Sequence, residues 1–170
     1  VMQKIRENVT QFAKNSVPLI IEGEIGSGRE LAAQNIHYMS LRASGPISEI
    51  NCSTLPQDLI EIELFGIEKE ILRGIDKTRR GKIELMNNGT LFVEEIEEMP
   101  MILQEKLVHF IKNGKFKRFG SSVELTSDVR VILTTTLSLE VLKSKNKIHI
   151  ELANLLDKSS MQMPPLRDRP

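Results

Sequence analysis

Tryptophan is absent and tyrosine occurs once, at Tyr38, so there is little sign of an aromatic platform on which nucleic-acid bases could stack. Cysteine is also single. Cys52 has no partner for an internal disulfide, and it ends the alternating strand pattern Ile47-Ser48-Glu49-Ile50-Asn51-Cys52, which marks it as a buried structural thiol. An excess of either charge is missing too. The 23 basic and 23 acidic residues cancel, which excludes a bulk basic field able to hold nucleic acid. The basic run Lys77-Thr78-Arg79-Arg80-Gly81-Lys82 reads as a solvated loop. No apolar run approaches the roughly 20 residues of a bilayer-crossing helix, and no signal-peptide pattern is present. Internal repeats and low-complexity tracts are lacking as well. The expectation is a cytoplasmic protein that contacts neither membrane nor nucleic acid directly.

What remains is 170 residues, 40% apolar, enough for one domain with a sizeable core over positions 1–170. Met2, Ile5, Val9, Phe12 and Ala13 recur at helical spacing. An apolar strand over 17–22 precedes a helix that runs to about Ser40, and a turn at 42–46 leads to a strand over 47–52. Ser53-Thr54-Leu55-Pro56 predicts a cap for a helix over 57–64, positions 65–81 have no clear period, and a short helix is expected at 82–87. Thr90-Leu91-Phe92-Val93 is a buried strand, 101–113 an amphipathic helix ended by Gly114, and 115–119 with 123–125 a hairpin. Positions 129–135 form a fourth strand, followed by helices at about 138–145 and 147–157. Strands alternating with helices predict a doubly wound parallel sheet covered on both faces.

The run Gly23-Glu24-Ile25-Gly26-Ser27-Gly28-Arg29-Glu30 joins the first strand to the second helix. A phosphate-binding loop, or P-loop, requires G-x-x-x-x-G-K-[ST] in that setting. Its glycines let backbone N–H groups turn onto an anion, and the helix that follows offers its positive end. Spacing and glycines fit, but Arg29 stands where lysine is required and Glu30 where a hydroxyl is required. Phosphoryl chemistry also needs a metal-holding carboxylate and a group that orients water. The strand that ends in Glu94-Glu95, with Glu97 and Glu98 close behind, is the natural source of both. His37 and His109 lie on helices with no partner at metal-ligand spacing and read as surface or boundary residues, while Met99 and Met101 read as packing and Asp168 as part of a local ion-pair cluster.

With these residues in view, the chain resembles the central AAA+ domain of bacterial enhancer-binding proteins, the activators of sigma-54 RNA polymerase. Positions 23–30 resemble the family's GESGTGKE, Asn51-Cys52-Ser53-Thr54-Leu55-Pro56 its NCAALP, and Glu63-Leu64-Phe65-Gly66-Ile67-Glu68-Lys69 its ELFGHEK. Gly89-Thr90-Leu91-Phe92-Val93-Glu94-Glu95-Ile96 resembles GTLFLDEI, Asp128-Val129-Arg130-Val131-Ile132 DVRVI, and Pro164-Pro165-Leu166-Arg167-Asp168-Arg169 PPLRER. The resemblance implies a P-loop NTPase core, an αβα sandwich, with a helical lid that would begin near Pro170 and is absent. It further implies ATP or ADP with Mg²⁺ as cofactors, self-association into rings, and sensory and DNA-binding domains elsewhere in a full-length response regulator of a two-component system. On the same basis positions Gly23, Glu24, Ile25, Gly26, Ser27, Gly28, Arg29 and Glu30 bind nucleotide, Glu95 activates water, Glu94 is the Mg²⁺ ligand and Thr136 takes the place of the γ-phosphate-sensing asparagine.

The departures from the family fall on its chemistry. Arg29 replaces the P-loop lysine, Glu94 the metal-side aspartate and Thr136 the sensor asparagine. The family's arginine-finger positions fall on His149 and Leu155, and the GAFTGA loop that grips sigma-54 falls on Glu70-Ile71-Leu72-Arg73-Gly74-Ile75, where only the second glycine remains. Three readings stay open. In the first, the core belongs to a transcription regulator, binds nucleotide at most, hydrolyses it weakly or not at all and leaves sigma-54 alone. In the second it is a working ATPase that assembles as a ring and activates transcription, with Lys69, Arg73 or Arg80 compensating. In the third it is a nucleotide-free scaffold in which Arg29 pairs with Glu94 or Glu95 and fills the phosphate site.

Overall fold

The computed structural model describes residues 2–168. The expected start of a lid near Pro170, and the Arg169 of the last motif, lie outside the described residues. In chain order the elements are α1 (Met2–Ala13), β1 (Leu19–Glu22), α2 (Arg29–Tyr38), β2 (Ile47–Asn51), α3 (Gln57–Phe65), α4 (Lys82–Leu85), β3 (Gly89–Glu94), α5 (Met101–Asn113), β4 (Lys115–Phe116), β5 (Leu125–Thr126), β6 (Val129–Thr135), α6 (Leu139–Ser144), α7 (Ile150–Leu156) and β7 (Ser160–Gln162).

Five strands form one sheet in the order β2-β3-β6-β1-β7, every neighbouring pair parallel. The central strands read as continuous apolar runs because both faces are covered. Alternate side chains enter two separate cores. Ile20, Leu91, Val93 and Leu133 pack with residues of α3, α5 and α7, whereas Leu19, Ile21, Phe92 and Ile132 pack with residues of α1 and α2. This is the expected doubly wound arrangement. In α5 the buried face is Leu103, Leu107, Val108 and Phe110, and the helix stops at Gly114, whose left-handed backbone (φ 68°) lets its N–H reach the Phe110 carbonyl at 2.7 Å.

Arg130 joins the layers. Its side chain on β6 is 1% exposed, and it donates from Nη2 to the Phe12 carbonyl at 2.7 Å and from Nε to the Val17 carbonyl at 3.3 Å. The guanidinium thereby ties the last turn of α1 and the strand entry to mid-sheet. Burial, with Arg42 nearby, pulls its pKa down to about 10.

Several expectations need correction. β7 was missed: Ser160-Met161-Gln162 is too short to carry a period, yet it pairs with β1 as a fifth strand (Ile21 opposite Met161). The hairpin ladder holds only Lys115 with Thr126 and Phe116 with Leu125. Phe119 instead pairs with Ile67, which also pairs with Arg79, so the segment after α3 is fastened to the body rather than formless. The N-cap of α3 is Pro56 with no side-chain bond, because the Ser53 N–H and hydroxyl both turn back to Asn51 Oδ1 (2.9 and 2.7 Å). His37 is fully buried rather than at the surface, with Nδ1 2.8 Å from Thr90 Oγ1. Met99 packs as expected, but Met101 is 38% exposed. Cys52 is buried, as expected, and burial beside Glu97, Glu95, Glu94 and Glu98 pushes its thiol up to about 12.

Candidate functional site

Because the sheet is parallel, β1, β3 and β6 deliver their carboxyl ends to one edge, where ligands of such sheets sit. The loop after β1 starts with Gly23, whose N–H bonds to the Thr135 carbonyl at 3.1 Å. A Cβ at Gly23 would lie 2.9 Å from Met163 Cβ, so this position admits no side chain without movement. At Gly26 φ is +78° and nothing lies within 4 Å of a notional Cβ, so this part of the loop is open and needs glycine for its conformation alone. Gly28, also left-handed at φ 83°, starts the ten-residue α2, whose first-turn N–H groups present partial positive charge. Beside the loop is a cavity of about 640 Å³ lined by Lys4, Asn8, Gly23, Thr136 and Met163 among others.

Arg29, the first residue of α2, sends its side chain across the strand ends to Glu95, with Nη2 2.7 Å from Oε1. Both partners are largely removed from water, with side chains 9% and 14% exposed. The other terminal nitrogen, Nη1, is buried and makes no hydrogen bond. Glu95 has a left-handed backbone (φ 55°, ψ 57°) as the chain passes from β3 directly into a 3-10 turn at Ile96–Glu98. For a non-glycine residue this conformation costs roughly 1–2 kcal/mol. It fixes the carboxylate at the strand tip. Burial raises the Glu95 pKa, and the Arg29 contact only partly offsets this.

Glu94, half-buried at the end of β3, is also pushed up, first by burial and then by the charges of Glu49, Glu30 and Glu95. Thr136, just past β6, is held by a residue to which the sequence assigned no role. Glu97 Oε1 accepts both the Thr136 N–H (3.0 Å) and its hydroxyl (2.7 Å). Burial alone would raise the Glu97 pKa, but the bonds from Thr136 and the backbone hold it below the ordinary carboxylate range. Glu97 was legible only as one more member of an acidic cluster. Its position within the single turn after the strand is what aims it at β6.

The remaining loop positions diverge. Glu24 is exposed and paired twice with Arg167 (2.8 and 2.9 Å), which lowers its pKa. Arg167 thus turns to the loop. Ile25 is 84% exposed. Glu30 faces outward on α2, accepting from Gln34 Nε2 at 2.9 Å. His149 caps α7 with Nδ1 accepting from the Glu151 N–H, and Leu155 packs against the core, so neither position presents a guanidinium. The segment 66–81 is clamped by Arg118, which donates to Glu68 Oε1 (2.8 Å) and to both oxygens of Glu84 (2.7 and 3.1 Å).

The residues present fit a phosphate chain and do not fit Mg²⁺. The open glycine loop and the N-terminus of α2 supply anion-binding N–H groups. An octahedral metal at such a site needs a loop hydroxyl and a strand-end carboxylate free to coordinate. Here the loop-hydroxyl position holds Glu30, which is turned to solvent, so Glu94, half-buried at the strand end, has no hydroxyl ligand opposite it, and no group of three or more His, Cys, Asp or Glu suited to a metal occurs among the described residues.

Comparison with known proteins adds to this geometry. Residues 1–162 match the model of the sigma-54 interaction domain. The chain is 38% identical over 168 residues to the regulatory protein AtoC of Escherichia coli (strain K12), covering 99% of this chain and 36% of that protein. It is 37% identical over 168 residues to the Nif-specific regulatory protein of Azotobacter vinelandii, covering 99% and 32%. Among solved structures, NtrX from Brucella abortus superposes with a TM-score of 0.90 at 31% identity, covering 99% of this chain and 38% of that one. NtrX in complex with ATP gives 0.88 at 30% identity, covering 99% and 36%. The chain therefore spans about a third of the length of these relatives.

Proposed function

Since this chain belongs to the sigma-54 interaction domain family, we propose that it is the central core of a bacterial transcription regulator that seats a nucleotide, hydrolyses it weakly or not at all, and does not engage sigma-54. The whole of 1–170 acts as one AAA+ unit in the cytoplasm. It self-associates and relays a signal between sensory and DNA-binding domains, without itself touching DNA or membrane. ATP or ADP is the ligand class, in keeping with the nucleotide complexes of NtrX. Gly23, Gly26, Ser27 and Gly28 form the cradle, while Glu94, Glu95 and Thr136 occupy the stations of the reaction machinery.

The observation that carries this reading is the Arg29–Glu95 pair. A glutamate that activates water must accept a proton in the transition state, and here its oxygen is engaged by the residue that replaces the P-loop lysine. Thr136 is spent on Glu97 in the same way. The expected arginine-finger stations hold His149 and Leu155, and loss of such a finger costs roughly 10³–10⁵ in rate.

Calorimetric titration with ATP and ADP, beside phosphate release over a series of protein concentrations, tests the proposal. Binding without turnover is expected. Robust release that rises with concentration and is abolished by Glu95→Gln would sink it. Restoring Arg29→Lys with Glu94→Asp should tighten binding, and unchanged affinity counts against the reading.

A further inference from the structure

Granted that the loop seats a nucleotide, as proposed above, we infer that it selects a nucleoside diphosphate over the triphosphate and takes it without a divalent cation. Arg29 serves as the built-in positive charge.

A terminal phosphate whose attacking water is oriented by Glu95 must lie between the P-loop and that carboxylate. In this chain the Arg29 side chain crosses that space and closes on Glu95 at 2.7 Å. To admit a third phosphoryl group, the pair would have to open inside a largely desolvated pocket, and breaking such a pair is costly. It would also place a new anion against the two carboxylates, Glu94 and Glu95, that the tip of β3 brings to this space. Nor is the Thr136 hydroxyl free to donate to a terminal phosphate, since its proton goes to Glu97 Oε1 at 2.7 Å.

A diphosphate meets none of these obstacles. It needs the turned N–H groups of the loop and the start of α2, and the loop at Gly26 is open. Arg29 Nη1, on a residue 8% exposed, is a buried donor with no acceptor. An orphaned charged donor is costly, and a phosphate oxygen from the loop side satisfies it without disturbing Nη2 on Glu95. The guanidinium then takes the charge-balancing part that Mg²⁺ plays in related loops, and the metal becomes superfluous.

The experiment is calorimetric titration of the protein with ADP and ATP, each in excess MgCl₂ and in excess EDTA, with phosphate release followed in parallel. Affinity for ADP is expected to exceed that for ATP by about tenfold or more and to change less than about twofold on chelation. In Glu95→Gln the pair is weakened and the ADP preference should shrink. In Arg29→Lys ADP binding should become dependent on MgCl₂. Thermal melting of each variant with and without ADP serves as a second readout if a variant is too unstable to titrate. Tighter binding of ATP with Mg²⁺ than of ADP, with no phosphate released, overturns the selectivity and leaves the non-hydrolysing reading standing. Release of phosphate at a sustained rate overturns that reading instead. Binding of neither nucleotide overturns the selectivity and leaves a nucleotide-free core.

Discussion

Arg29 Nη2 and Glu95 Oε1 stand 2.7 Å apart although 66 positions separate the two residues in the chain. The contact joins the start of α2 to the tip of β3 across the intervening strand β6. It binds the two halves of the site to each other rather than to a ligand.

A double-mutant cycle measures that bond. Arg29→Met and Glu95→Gln should each destabilise the protein by about 2–3 kcal/mol, because each leaves a buried partner unpaired. The double variant should lose less than the sum, with a coupling of about 1–3 kcal/mol in chemical denaturation. Additive losses would mean that the pair contributes nothing as a pair.

Arg118 anchors positions 66–81 through Glu68 and Glu84. Arg118→Met should raise the rate of limited proteolysis within that segment several-fold while global stability falls by about 1–2 kcal/mol. Equal cleavage rates in the two proteins would show that the segment is held by other contacts, such as the Ile67–Arg79 pairing.

Burial lowers the pKa of His37. The unfolded chain, with histidine near 6.5, therefore takes up a proton before the folded one does. The stability this confers is fully present above about pH 6.5 and is lost as pH falls through the lower folded value. Unfolding free energy should drop between pH 7.5 and 5.5, and the drop should be smaller in His37→Gln.

Cys52, raised to about 12 and 3% exposed, should resist thiol reagents at pH 8 in the folded protein. Labelling should follow the opening rate and become fast in denaturant. Prompt stoichiometric labelling of the native protein would contradict the burial seen here.

The layered fold is open to sequence reading because its central strands are apolar runs and helices α1 and α5 carry a clear 3.6-residue period. Val129–Thr135 was expected at the limits it has. β7 was hidden because its three residues carry no alternation, and it exists through pairing with β1 alone. At the site, the loop glycines and Glu95 follow from the motif, and of the two pairings that the scaffold reading leaves open to Arg29 the structure holds the one with Glu95. Glu97 was not foreseen, since its role depends on the 3-10 turn that aims it at Thr136. His37 was misplaced because one polar side chain on a helix says nothing about the Thr90 hydroxyl waiting across the sheet.

Arg130 sets a limit on how this molecule can be divided. Its acceptors are carbonyls of Phe12 and Val17, ahead of the first strand. A fragment trimmed to begin at the glycine loop, where the recognisable lettering starts, would strand a full positive charge in hydrocarbon. The smallest piece that keeps both bonds therefore reaches back into the last turn of α1.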